Sequence, residues 1–312
     1  MNKRYPNILL AGQEDSARRI DQFISDRTGI SRSQVQKLIE SGNVTISGKA
    51  ARKNHRVRVN EVIEIAPLMK ETETLLPQHI EINIVHKDDH VIVINKPPGL
   101  VMYPAAGHPQ HTLMNAVAYH CKKLASIGSP LRPGVVHRLD KDTSGLVIIA
   151  LNDETYYSLQ KQFKDRTIER EYLAIVDGRP KKPSGEIDAP IGRAVSDRKK
   201  MSTRTRRGKE AKTYYTIQEN LIGSTLLEAK LATGRTHQIR VHFACQGHPV
   251  LGDRTYGKKT HIKIGNRTLK VPRQMLHAHT LGFIHPATGE KMSFSSLLPE
   301  DMKHVLKTLR KS

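Results

Sequence analysis

Apolar residues near the start of the chain recur twice at helical spacing and then begin to alternate. Ile20, Phe23 and Ile24 share one helix face, and Arg27-Thr28-Gly29 ends that helix. Ser31-Arg32-Ser33-Gln34 has the form of a capping box. Behind it Val35, Leu38 and Ile39 line a second helix, which leaves Arg32, Gln36 and Lys37 mostly outward and stops at Gly42-Asn43. Val44-Thr45-Ile46, a Ser47-Gly48 turn, and the alternating Val57, Val59, Val62 and Ile63 predict short strands. The pattern marks a small α+β module over residues 14–66, followed by a linker over 67–78 rich in charged residues and Thr.

Beyond the linker, Ile80, Ile82 and Ile84 alternate, and His90-Val91-Ile92-Val93-Ile94 is β-branched enough for a buried strand. Lys96-Pro97-Pro98-Gly99 then reads as a turn. Further strands are predicted over 145–150, 172–176, 214–217 and 225–231, with helices over 112–124, 152–164 and 236–246. Hairpins mixed with isolated helices imply an α+β fold with one large domain over 79–312, not a regular βαβ series. No internal repeat or low-complexity tract interrupts it.

Charge changes this picture from a fold to a binding protein. The 312 residues hold 51 Lys and Arg against 30 Asp and Glu, a formal net charge of +21. Such an excess repels itself in a compact fold, and a polyanion is the usual partner that offsets it. An anionic membrane is the competing partner. The chain has neither an 18-residue apolar run nor a long basic amphipathic helix with large apolar side chains, and its beginning is too weakly apolar for a secretion signal. Two cysteines, Cys121 and Cys245, make no disulfide framework; both read as buried bystanders in a reducing cytoplasm. Tryptophan is absent and aromatic residues are 4% of the chain, so any tyrosine near basic residues gains weight as a stacking surface. Residues 193–212 concentrate nine Lys or Arg against two acidic residues and read as a solvated loop that orders on nucleic acid. Composition by itself leaves RNA and DNA open.

Three segments hold candidate chemistry. In GVVHRLDKDTSGLVIIA, residues 134–150, a polar turn stands between two apolar runs, and Asp140 has cationic neighbours in Arg138 and Lys141. By pattern alone Asp140 could equally be a helix cap or a salt-bridge partner. LATGRTHQIRVHFACQGHPVLGD, residues 231–253, brings Arg235, His237, Arg240, His242 and His248 around an amphipathic helix. His237 and His242 are five apart and lack a Cys or carboxylate at ligand spacing, so no metal is expected. Arginine suits this segment better to phosphates, or to holding a carboxylate in its rigid donor fork. RQMLHAHTLGFIHP, residues 273–286, alternates as a strand, with His277, His279 and His285 as satisfied or solvent-facing imidazoles. Neither a dinucleotide fingerprint nor a Gly-rich phosphate loop occurs, so no cofactor is expected.

HRLDKDTSGL, the tyrosine of REYLAIVDG, TGRTHQIRVH and LHAHTLGFIHP occur in the order seen in the RluA family of RNA pseudouridine synthases. RIDQFISDRTGISRSQVQKLIESGNVTISGK resembles the RNA-binding domain first described in ribosomal small-subunit protein four, which makes the chain similar to the RluD branch. The resemblance covers residues 16–310. It implies a pseudouridine synthase fold with a mixed, mainly antiparallel sheet, and isomerisation of uridines in structured RNA. Large-subunit ribosomal RNA, in precursor or assembling subunits, is the implied substrate, with no cofactor; oligomeric state is not legible in the sequence, and a monomer is the working expectation. By position, Asp140 takes the place of the catalytic aspartate and Arg240 that of the basic residue paired with it. Tyr172 matches the tyrosine that packs on the flipped base, and Arg138 the arginine that fills the RNA stack. Leu276 falls at an apolar wall of the base pocket. Arg32 and Lys37 would face RNA from the small module, and Lys199, Lys200 and Arg204 from the basic segment. One departure is Tyr103, which stands where many relatives have histidine.

Overall fold

The computed structural model describes residues 8–66, 74–195, 197 and 200–310. The chain divides at 73/74 into two compact units.

The first unit packs α1 (Ile20–Thr28) and α2 (Arg32–Glu40) on a four-stranded antiparallel sheet. Its strands are β1 (Ile8–Leu10), β2 (Val44–Ile46), β3 (Lys49–Ala50) and β4 (Val62–Ile65), in the order β1-β4-β2-β3. Ile20, Phe23, Ile24, Val35, Leu38 and Ile39 are buried together with Val44, Ile63 and Ile65, as their spacing requires. Gly29 ends α1 at φ 70°, a left-handed cap that glycine adopts without strain. Gln34 Oε1 accepts from the Ser31 N–H at 3.2 Å, the reciprocal half of the capping box. Two expectations shift. The 57–59 stretch forms no strand: Val57 is buried in the core while Val59 is exposed. β1 lies ahead of residue 14 and pairs with β4, completing the sheet edge.

The second unit is built on one nine-stranded sheet. Its members are β5 (Asn83–Lys87), β6 (Val91–Lys96), β7 (Ser144–Ala150), β8 (Glu169–Asp177) and β9 (Ser184–Asp188), followed later in the chain by four more. After the short pair β10 (Gly192–Arg193) and β11 (Met201–Ser202) come β12 (Lys212–Leu221) and β13 (Ser224–Leu231). A separate hairpin, β14 (His261–Ile264) and β15 (Arg267–Lys270), precedes β16 (Leu276–Ile284) and β17 (Lys291–Ser295). The order is β5-β6-β7-β16-β8-β13-β12-β9, with β17 also on β16; every pair is antiparallel except β7 with β16. The fold is therefore α+β with a mainly antiparallel sheet.

Four helices cover this sheet: α3 (Leu113–His120), α4 (Asp153–Lys164), α5 (Gln238–Cys245) and α6 (Glu300–Arg310). Leu113, Met114 and Val117 of α3 and Ile239 and Phe243 of α5 pack with Ile92, Ile94, Val147 and Ile149. Leu159 of α4 joins Val91, Val93, Leu146 and Ile148, the alternate residues of the same two strands. β6 and β7 are thus covered on both sides, which explains their unbroken apolar runs. α6 buries Met302, Val305, Leu306 and Leu309. At about 1.5–3 kcal/mol per buried side chain, this packing outweighs the marginal stability of so short a helix.

Several edges differ from the sequence expectation. Leu76 and Gln78, expected in the linker, belong to the second unit: the Leu76 carbonyl accepts from Asn115 Nδ2 at 2.7 Å, and the Gln78 N–H donates to the Asn115 carbonyl. Ile80 and Ile82 precede β5, so only Ile84 lies in a strand. α3 ends at His120 because Cys121 is extended, and Cys245 is exposed at the end of α5, where burial was expected. β8 begins at Glu169, which brings Arg170 into the strand with Tyr172. Among the described residues no helix is long and apolar enough to cross a membrane.

Candidate active site

The turn that holds Asp140 leads directly into β7. Leu139 is buried in the core and Thr143 donates its N–H to the Asp140 carbonyl, so the polar turn is tied at both ends. Two buried cations grip its backbone. Lys96 Nζ donates to the carbonyls of Lys141, Pro97 and Leu100 at 3.0, 2.8 and 3.0 Å. Burial pushes this ammonium down to about 7, with the Arg273 charge adding and Asp142 and Asp140 opposing. Arg273 donates Nη1 to the Asp142 carbonyl at 3.0 Å while its fork holds Asp301 at 2.6 and 2.9 Å. Gly145, at φ +111°, lets β7 run against β16; a Cβ there would stand 2.2 Å from the Ala278 carbonyl oxygen.

The Asp140 side chain meets α5. Arg240 Nη1 donates to Asp140 Oδ2 at 2.8 Å, while its Nε and Nη2 donate to Asp253 at 2.7 and 3.0 Å. Asp253 is fully buried and also accepts from the backbone N–H groups of Thr255 and Tyr256. Burial opposes the charge of Arg240, but hydrogen bonds to Asp253 and the charges of both carboxylates outweigh it and hold the group above the usual arginine range. His237 completes this cluster, with Nε2 3.6 Å from Asp140 Oδ1 and Nδ1 2.8 Å from the Tyr256 hydroxyl. Burial pushes its imidazole down; Asp140 opposes that and Arg240 adds to it. His237 sits at φ 59°, which is why α5 starts at Gln238 and not at Thr236.

Asp140, Arg240, Tyr172, Arg138 and Leu276 all line one cleft of about 580 Å³. Tyr172 of β8 and Leu276 of β16 come from adjacent paired strands, two residues out of register, and both are buried in the core beneath the cleft. Burial pushes the Tyr172 hydroxyl up, so a neutral phenol faces the site; Arg170 opposes the shift and Asp140 adds to it. At the rim Arg138 folds onto Tyr103, donating Nη1 to its hydroxyl at 2.7 Å with the guanidinium 5.3 Å from the ring centroid.

The RNA-facing candidates lie elsewhere. Arg32 is not a free charge: it donates to the buried Asp21 carboxylate at 3.1 Å, alongside Arg19 and Gln36. Burial of Asp21 is outweighed by these hydrogen bonds, which hold its carboxyl well below the usual range. Gln36 is turned inward by the same contact, while Lys37 is exposed as expected. Lys199 falls outside the described residues. Lys200 lies 3.7 Å from Asp197, and Arg204 is exposed. The described residues of the segment around them are largely irregular and partly or fully exposed, as the charge implies, but the segment is tied down at points. β10 and β11 pair across it, Met201 packs with Ile191, Ala211 and Val241, and its N–H donates to the Tyr256 hydroxyl. A few apolar residues anchor it despite the charges.

His242 points away from His237, its ring bonding Thr213 and the Ala189 carbonyl. His277 is sandwiched between Ser144 and Ser296. His137 is a core acceptor: its Nε2 takes the Ile148 N–H at 3.0 Å, and burial, helped by the Arg170 charge, pushes it down to about 3. Sequence reading missed Asp253, Tyr256, Lys96 and Arg170. Asp253 had one signal, an acidic residue after Gly252 in an apolar run, but its partner lies thirteen residues away on a helix.

A carboxylate fixed by an arginine, beside a phenol and an apolar wall and under basic rims, can receive a planar base next to a charged oxygen. The RNA pseudouridylate synthase family profile matches residues 90–245 and the S4 domain profile residues 18–63. The chain is 41% identical over 305 residues to an uncharacterized RNA pseudouridine synthase of Bacillus subtilis, covering 97% of this chain and 98% of that one. It is 42% identical over 300 residues to ribosomal large subunit pseudouridine synthase D of Zymomonas mobilis, covering 93% of each. Among solved structures, human RNA pseudouridylate synthase domain containing 1 superposes with a TM-score of 0.55 at 25% identity, over 74% of this chain and 96% of that one. Cleft and kinship agree: the chain belongs to the RNA pseudouridine synthases, with an S4 RNA-binding domain ahead of the synthase domain.

Proposed function

We propose that this enzyme isomerises uridines in a stem-loop of large-subunit ribosomal RNA, with Asp140 acting on the flipped nucleotide as nucleophile or base. The observation behind it is the Asp140–Arg240 pair at 2.8 Å in a cleft that also presents Tyr172 and Leu276. Pseudouridine formation breaks the bond from ribose C1′ to base N1 and joins C1′ to base C5. No atom is gained or lost, so the protein must supply a place for the base, a carboxylate and shelter from water. Extruding the base costs a few kcal/mol, roughly, and Arg138 swinging off Tyr103 into the vacated stack offsets part of that. Stacking on Tyr172 contributes about 1–3 kcal/mol. Arg240 orients the Asp140 carboxylate through Oδ2, and Oδ1 lies 3.6 Å from His237 Nε2. Relatives near 40% identity that are named for the large ribosomal subunit support the substrate.

Hydrolytic release of the base would need a second carboxylate free to activate water. Asp253 is the carboxylate that shares Arg240, and it is buried with its oxygens bonded to Arg240 and two backbone N–H groups. That removes Asp253 as a water-activating base, and leaves Asp142, half-buried two residues from Asp140, as the carboxylate a hydrolase would have to use. Mapping pseudouridines in ribosomal and transfer RNA from cells with and without the gene tests the reading. Large-subunit sites should vanish without the gene, return with the wild type, and stay absent with Asp140→Asn. Sites lost only from transfer RNA would refute the substrate.

The basic segment and the S4 domain serve affinity in this reading. Replacing Lys200, Arg204 and Arg207 together by Gln should weaken RNA binding and lower the salt-dependence slope by up to about 3. The single-turnover rate at saturating enzyme should hold. A fall in that rate with affinity unchanged would place the segment in the chemistry instead.

A further inference from the structure

Arg170 is a buried cation that the site as described does not use. It is 8% exposed and its Nε has no hydrogen-bond partner. Burial pulls the guanidinium below the usual arginine range, opposed by the Tyr172 phenol. An unpaired buried charge is costly, and one with a perturbed environment in a cleft is a candidate ligand-binding group. The acidic residues on either side do not serve. Strand alternation turns Glu169 and Glu171 to the opposite face of β8, where Glu169 accepts from Lys291 at 2.9 Å and Glu171 from Lys230 at 3.5 Å.

The guanidinium is nevertheless placed with care. It lies 5.1 Å from the Phe163 ring centroid, and that ring packs against the neutral His137. Opposite stands Gly234, where a Cβ would come within 2.7 Å of Arg170 Nη1. An aromatic floor and a missing side chain therefore leave the fork facing the same cleft that Asp140 and Tyr172 line. Arg170 and Tyr172 are two residues apart on one strand face, about 6.6 Å along it. That is the reach of a single nucleotide from its base to its phosphate.

We propose that Arg170 forms a phosphate subsite that takes a backbone phosphate flanking the uridine held against Tyr172. The guanidinium fork matches two phosphate oxygens, and binding would replace the missing acceptors. The subsite would lock the flipped nucleotide at base and backbone together, which favours extruded over stacked uridine. The inference rests on the RNA-isomerising function of this cleft.

The test uses the full chain and a synthetic RNA stem-loop around a uridine that mapping identifies as a product. In wild type, replacing the phosphate on the 5′ or the 3′ side of that uridine by an uncharged methylphosphonate should, on one side, lower kcat/KM by about 10- to 100-fold. Arg170→Met should lose a similar factor with normal RNA, and no further factor with the sensitive methylphosphonate. Arg170→Lys should fall between. Losses that multiply, or a wild type indifferent to both neutral linkages, would overturn the subsite; the second result needs no folded variant. A wild type that leaves the all-phosphate stem-loop unmodified would instead count against the substrate reading.

Discussion

Asp140→Asn should bind the RNA stem-loop with near wild-type affinity and lose at least about 1,000-fold in single-turnover rate. Asparagine keeps the shape and still accepts from Arg240 through its amide oxygen, so the fold and the Arg240–Asp253 fork have little reason to move. What disappears is the negative charge and one carboxylate oxygen. Rates measured with enzyme in excess separate this from weaker binding. If the purified variant formed pseudouridine at near wild-type rate, Asp140 would not be the reacting group.

Arg240→Met should cost more in stability than any other single change at the site, about 3–5 kcal/mol at pH 7. The reason is Asp253, not Asp140. Asp253 is fully buried, and its Arg240 fork is what keeps its charge tolerable. In the wild type, burial raises the Asp253 carboxyl, but the hydrogen bonds and charge of Arg240, with the Thr255 and Tyr256 N–H groups, outweigh that and hold it below the usual range. A carboxyl depressed by folding stabilises above its unfolded value, about 3.9, and that contribution fades as pH falls through its folded value. Without Arg240, burial dominates and protonating Asp253 relieves the cost. The gap between variant and wild type should therefore narrow as pH falls from 7 toward 4. Urea unfolding followed by far-UV circular dichroism at both pH values reads this out; equal midpoints at pH 7 would contradict it. Arg240→Lys keeps the charge but loses the fork, and should lie between. Activity should fall in both, because the Asp140 carboxylate loses its orientation.

These two residues show different degrees of legibility. Asp140 was visible in HRLDKDTSG as a charged residue in a turn between apolar runs, and the ordered motifs gave it a role. Arg240 was visible too, as an arginine on an amphipathic helix after TGRTH. Their meeting at 2.8 Å spans a separation of 100 residues, and spacing along the chain contains no measure of it. Asp253 and Arg170 were less visible still. Each looks like an ordinary surface charge until the sheet and α5 bury it, and only burial makes an unpaired or doubly bonded guanidinium meaningful.

Local periodicity and composition by themselves determined the two-part organisation, the helical faces Ile20-Phe23-Ile24 and Val35-Leu38-Ile39, the buried strand at 91–94 and the anionic partner. Those properties depend on neighbours within one or two turns, or on totals. Tertiary structure decided that β16 enters between β7 and β8, parallel to the first and antiparallel to the second, which brings Leu276 within two residues of register with Tyr172, and that the basic segment after β10 folds back on Tyr256. It also decided which charges pay a desolvation cost and which are solvated. Pairing and burial are set by contacts between distant segments, and a carboxylate or guanidinium acquires its chemistry from them.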